Sequence, residues 1–123
     1  MAHVLGIGGV FIKSRDVDAL RVWYRDALGL DLADWGGAQF WATPDRHCAV
    51  WSPFKADTEY FAPSTREVMV NFRVQDLDGL LARLRAYGAQ VLDRREDTAD
   101  GKFGYVLDPD GTLLELWEPA RAP

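Results

Sequence analysis

Ile12-Lys13-Ser14-Arg15-Asp16-Val17-Asp18-Ala19-Leu20 returns in the second half of the chain as Phe72-Arg73-Val74-Gln75-Asp76-Leu77-Asp78-Gly79-Leu80. In both copies an apolar residue and a cation lead into Asp-aliphatic-Asp-small-Leu. Asp16 and Asp76 each stand where a helix should begin, and their carboxylates can accept hydrogen bonds from the free amides of a first turn. Self-similarity of this kind marks a repeated unit.

Working outward, the first copy predicts a helix over 17–28 with Val17, Leu20, Tyr24, Ala27 and Leu28 on one stripe and Gly29 as its stop. The second predicts a helix over 77–87, with Leu77, Leu80, Leu81, Leu84 and Tyr87 on its stripe and Gly88 ending it. A strand precedes each helix, over 7–13 and 67–74. Three strands are expected after the first helix, over 31–35, 38–42 and 48–52. Gly36-Gly37 supplies one turn between them and residues 43–47, with Pro44, the other. Three more are expected over 90–93, 103–107 and 112–117, the last two joined by the turn sequence Asp108-Pro109-Asp110-Gly111. Each half reads βαβββ, which makes the fold class α+β. Residues 1–123 are read as a single domain, with module 7–52 and module 67–117 joined by a linker over 53–66. That linker is long for a structureless connection and carries Phe54, Tyr60 and Phe61, aromatics that need an apolar surface to cover.

The 123 residues suffice for one buried core, and 48% hydrophobic with 27% charged residues is ordinary globular composition. A net charge of -5 without a basic run argues against a nucleic-acid partner. No apolar stretch reaches the roughly 20 residues of a membrane span, and the N-terminus lacks signal-peptide design, so no membrane association is expected. Cys48 is the single cysteine, which excludes an intrachain disulfide and makes a cytoplasmic location the expectation. It reads as a small buried hydrophobe rather than a nucleophile.

The segment Ile12 to Leu30, with Asp16, Trp23-Tyr24 and Leu28-Gly29-Leu30, resembles the opening of vicinal-oxygen-chelate proteins. These form the glyoxalase, bleomycin-resistance and extradiol-dioxygenase superfamily. Asp108-Pro109-Asp110-Gly111 followed by Leu114-Glu115-Leu116 resembles that family's closing turn and strand. Trp51-Ser52-Pro53-Phe54 is similar to an uncharacterised glyoxalase-like branch. The resemblance implies paired βαβββ modules that curl into an incomplete barrel around a cup. It also implies a homodimer, in some members with halves exchanged between chains.

In that superfamily the enzymes usually hold a divalent metal on the first and last strands of each module. The matching places here are Gly9, about Ser52, Met69 and Glu115. Only Glu115 is a ligand of the usual kind, whereas a catalytic site normally needs three. His3, before the expected first strand, and His47, in a turn, do not converge on it. No metal and no other cofactor is therefore expected, as in the bleomycin-resistance branch.

Residues two apart on a strand share a face. The cup is thus expected to present Gly9, Phe11 and Lys13 from the first strand, and Met69, Asn71 and Arg73 from the fifth. The last strand adds Leu113, Glu115 and Trp117. Trp41 with Gln39, or Phe40 with Ala42, faces inward on a middle strand, and Trp51 is a further candidate wall. These residues read as a site for a small aromatic or amphipathic molecule bound without a metal. Lys13 and Arg73 would favour an anionic group on it. The alternative is a lyase, isomerase or dioxygenase of the same superfamily, in which Glu115 moves a proton, with or without a divalent metal.

Overall fold

The computed structural model describes residues 1–28, 30–42 and 47–120. It contains β1 (His3–Ser14), α1 (Val17–Leu28), β2 (Ala38–Ala42), β3 (His47–Lys55), β4 (Val68–Gln75), α2 (Leu77–Tyr87), β5 (Gln90–Thr98), β6 (Gly101–Leu107) and β7 (Leu113–Pro119). Both helices occupy the residues expected. The amide of Ala19 donates to Asp16 Oδ1 at 3.0 Å, and that of Gly79 to Asp76 Oδ1 at 3.1 Å. The repeated aspartates are the caps, Asp76 in a left-handed conformation (φ 59) that a short polar side chain tolerates. Gly88 (φ 93) ends α2 as anticipated, its amide donating to Arg85 O at 3.1 Å. Tyr87, expected on the apolar stripe, is exposed at the last turn before that cap. The Gly29 stop and the turn at 43–46 lie outside the described residues.

Seven strands form one open mixed sheet in the order β2-β3-β1-β4-β7-β6-β5. Within each half the first and last strands are parallel, β1 with β3 and β4 with β7. The halves meet along an antiparallel β1–β4 seam, where Gly9 faces Asn71 and Phe11 faces Met69. Helix start 17 corresponds to helix start 77, so Gly9 corresponds to Met69 and Phe11 to Asn71. The seam is therefore reciprocal, as a two-fold relation between the halves requires.

The strand expected over 31–35 is absent. Only Leu32 bridges to Ala38. The amide of Gly36 donates to Ala33 O at 2.9 Å and that of Ala33 to Gly37 O at 2.8 Å, so a tight turn takes the backbone groups a ladder would need. Strand β3 also runs three residues beyond its expected end. Pro53 is accommodated because pairing with β2 stops at Trp51, leaving one side of β3 unladdered there. The connection between the halves thus spans residues 56–67.

The two faces of the sheet carry two cores. On one, Leu77, Leu80 and Leu81 of α2 pack with Val74, Val106 and Leu116. On the other, Phe61 of the connection packs with Phe11, Met69, Tyr105 and Leu113. Helix α1 has no side chain in the buried class among its described residues, and holds β3 by a stack of Tyr24 on Trp51, ring centroids 4.1 Å apart. Among the described residues no helix is long and apolar enough to cross a membrane.

Candidate functional site

The site is assembled by three registers. Asp108 Oδ1 accepts the amides of Asp110 and Thr112, both at 2.9 Å, which closes the β6–β7 turn and sets Tyr105 opposite Glu115. Parallel pairing of β4 with β7 sets Asn71 beside Glu115. The connection, tied down by Phe61, swings Tyr60 over both. Phe61 is 0% exposed.

Glu115 is 3% exposed and surrounded by donors. Asn71 Nδ2 donates to Oε1 at 2.8 Å, and the Tyr60 hydroxyl to Oε2 at 2.6 Å. The Tyr105 hydroxyl lies 2.9 Å from the same Oε2, 2.7 Å from Glu96 Oε2 and 2.9 Å from the Tyr60 hydroxyl, so several acceptors compete for its single proton. Loss of water, then the charge of Glu115, raises both phenols above the usual tyrosine range. Arg94 lies behind them, its guanidinium carbon 4.2 Å from the Tyr60 ring centre and 4.1 Å from that of Tyr105. It pairs with Glu96 at 3.1 Å and donates to Tyr60 O at 2.8 Å.

In front of Glu115 opens a cavity of about 480 Å³. Phe11, Trp35, Val50, Pro53, Phe54 and Tyr60 form its apolar wall, and Ser52, Thr58, Lys55 and Asp57 add polar groups. Phe54 is locked by tilted contacts to Phe11, Tyr60 and Phe61, with centroids 5.2–5.5 Å apart.

Of the residues singled out from the sequence, Glu115 and Phe11 line this cavity and Asn71 stands directly behind Glu115. Met69, buried in the core, does not reach it. Lys13 lays its ammonium over the Phe61 ring at 5.6 Å rather than in the cavity. Arg73 Nη1 donates to Ile7 O at 3.3 Å, crossing β1 at Gly6, where no side chain obstructs it. Trp117 stacks on Phe103 and donates its indole N–H to Asp100 O at 2.9 Å. Trp51 faces α1, on the other side of β3, and Trp41 is 60% exposed on β2, at the end of the sheet. The anionic preference therefore loses both cations that motivated it.

The residues do not fit the divalent metal usual in related enzymes. Ser52 faces Phe11 across the β1–β3 pair as Glu115 faces Asn71 across β4–β7, so one half offers a hydroxyl and a phenyl ring where the other offers a carboxylate and an amide. Gly9 has no donor, Met69 is core, and Glu115 Oε2 is taken by two phenols. Among the described residues no three His, Cys, Asp or Glu side chains converge.

Tyr60, Tyr105 and Trp35 were not among the expected site residues. Tyr105 was within reach of sequence reasoning: counting back from the Asp108–Gly111 turn places it opposite Glu115. Tyr60 stands out only as one of three linker aromatics in need of an apolar surface, and Trp35 not at all, since an irregular connection and a tight turn fix them.

Residues 9–117 match the family model for the glyoxalase-like domain. Among curated proteins none matches the chain. Among solved structures, methylmalonyl-CoA epimerase from Mycobacterium tuberculosis is 28% identical, with a TM-score of 0.64, over 96% of this chain and 90% of that one. A variant methylmalonyl-CoA epimerase from Streptomyces coelicolor, in complex with 2-nitronate-propionyl-CoA, is 20% identical. Its TM-score is 0.74 over 97% of this chain and all of the other. A glyoxalase/bleomycin resistance protein/dioxygenase superfamily member from Vibrio splendidus 12B01 is 18% identical, with a TM-score of 0.59, over 96% and 99% of the two chains.

Proposed function

The chain belongs to the glyoxalase-like domain family, and we propose that within it this protein binds a small amphipathic molecule in the cavity beside Glu115, without a metal. One observation carries the reading: a carboxylate 3% exposed forms part of the wall of a cavity otherwise lined mainly by aromatic and aliphatic side chains. Such cavities hold a ligand's body by apolar contact and fix its orientation through few polar groups. Phe11, Phe54 and Trp35 are the proposed walls and Glu115 the orienting group. Trp35 makes the test direct. Small aromatic and amphipathic compounds are titrated while tryptophan emission is followed, in the parent and in a Ser52→Phe variant that fills the cavity. Saturable changes in the parent, lost in the filled variant, are expected. Responses that survive filling would place binding elsewhere.

The epimerase neighbours support a second reading, in which Glu115 moves a proton at a carbon acid. Incorporation of solvent deuterium into methylmalonyl-CoA, lost in Glu115→Gln, would favour it over simple binding. We also propose a cytoplasmic homodimer. Val4, Leu5, Ile7 and Val10 on β1, Trp23 on α1 and Phe40 and Trp41 on β2 are each exposed in the single chain, apolar area of which a second copy would cover part. Light scattering at micromolar concentration tests the assembly, with a monomer as the contrary result.

A further inference from the structure

We propose that the ligand of this cavity presents a protonated amine to Glu115. The inference rests on the binding reading above and adds to it the charge and chemical class of the group that is bound.

Behind the cavity stand two carboxylates, the buried Glu115 and the partly exposed Glu96, both within hydrogen-bond distance of the Tyr105 hydroxyl, and one guanidinium, the partly exposed Arg94. Arg94 is committed to Glu96 and to Tyr60 O. Among the described residues no cationic nitrogen lies within ion-pair distance of Glu115. Its three partners, Asn71, Tyr60 and Tyr105, are neutral. The charged groups lining the cavity are one cation, Lys55, and two carboxylates, Asp57 and Glu115, so one negative charge is in excess. A buried carboxylate facing an apolar space favours an occupant that brings the opposite charge.

The walls agree. Phe11, Phe54, Tyr60 and Trp35 surround the space in front of the carboxylate, and aromatic faces attract cations. The protein already uses these groups in that way on the far side, where the Arg94 guanidinium lies against the Tyr60 and Tyr105 rings with a carboxylate beside it. Among the described residues Glu115 Oε1 accepts a single hydrogen bond, from Asn71, leaving a lone pair for an N–H donor. The cations that would have drawn an anion are elsewhere: Lys13 lies over Phe61, and Arg73 crosses β1 to Ile7 O.

Three probes of like size and different charge test the proposal: 2-phenylethylammonium, 2-phenylethanol and 3-phenylpropanoate. Each is titrated into the full chain while tryptophan emission and amide chemical shifts are followed. The ammonium probe is expected to bind at least about tenfold more tightly than the alcohol, and the carboxylate probe most weakly. In Glu115→Gln the preference for the ammonium probe over the alcohol should vanish. The comparison on the parent protein stands even if that variant does not fold. Alcohol or carboxylate binding as tight as ammonium binding, at the same residues, would overturn the amine assignment and leave the cavity a ligand site. Failure of all three to bind up to millimolar concentration would overturn the binding reading, and the amine assignment with it.

Discussion

The carboxamide of Asn71 fills the space that a side chain at position 8 would need. A Cβ on Gly8 would overlap Asn71 Oδ1 and press on the Trp117 ring. Asn71 is 2% exposed, and the same carboxamide donates to Glu115 Oε1 at 2.8 Å. A missing side chain on β1 thus lets a residue of β4 orient a carboxylate on β7. Gly8→Ala is expected to cost about 1–3 kcal/mol, since added volume has no room to settle. Asn71→Ala removes the obstacle, so the double variant should lose less than the sum of the single losses. Urea unfolding of the four proteins measures the coupling. Additive losses would show that the carboxamide is not what the new methyl group meets.

Alkaline stability should depend on the two phenols. Burial first, and then the charge of Glu115, raises Tyr60 and Tyr105 above the usual range. In the unfolded chain a tyrosine titrates near about 10. The folded protein therefore holds these protons longer, and their contribution is complete below that pH and lost as pH rises past it. Each phenol should steepen the decline by up to about 1.4 kcal/mol per pH unit. Unfolding free energies between about pH 9 and 11 for the parent, Tyr60→Phe and Tyr105→Phe provide the check. Identical slopes in all three would contradict the buried network.

Replacing Phe61 with Ala should cost about 3–5 kcal/mol, because the ring is wholly buried against Phe11, Met69, Tyr105 and Leu113. The connection over residues 56–67 should then lift from the sheet, carrying Tyr60 away from Glu115. Limited proteolysis of the folded variant is expected to cut in that segment sooner than in the parent. Cleavage first at any other site would mean that Phe61 does not anchor it.

Trp51→Ala tests a residue whose position the fold reassigns. Its ring stacks on Tyr24, and among the described residues of α1 no leucine is buried as Leu77, Leu80 and Leu81 of α2 are. Hydrogen exchange should show α1 amides losing protection well before those of α2, with a global cost of about 3–5 kcal/mol at most. Uniform loss of protection in both helices would show that α1 is held by other contacts.

Much of this architecture was legible in the repeated Asp-aliphatic-Asp-small-Leu segment, because a cap and a stop are local events that a few residues determine. Asp16, Asp76 and Gly88 act as their chemistry requires. Alternation along β1, β4 and β7 put Phe11, Asn71 and Glu115 on one face for the same reason. Alternation does not say which end of that face is open. Lys13, Arg73 and Trp117 share a face with cavity residues, yet each finds a partner of its own. Trp51 escaped because the face presented by a β3 residue depends on register against β1, which no turn residue encodes. The strand expected at 31–35 failed for a local reason, since Gly36 (φ 100) closes a turn that starts too early.

The β1–β4 seam also bears on how the chain reaches this structure. Its pairs join residues roughly sixty positions apart, whereas β6–β7 and β2–β3 pair strands only a few residues apart in sequence, so the seam is the costly contact to form. The two hairpins and the capped α2 can assemble first, each within its own half. Until the seam closes, β1 and β4 each present an unpaired edge, on strands rich in valine and isoleucine. The interval before closure is when the chain is most prone to pair with a neighbour instead of with itself, and refolding yield should fall as protein concentration rises.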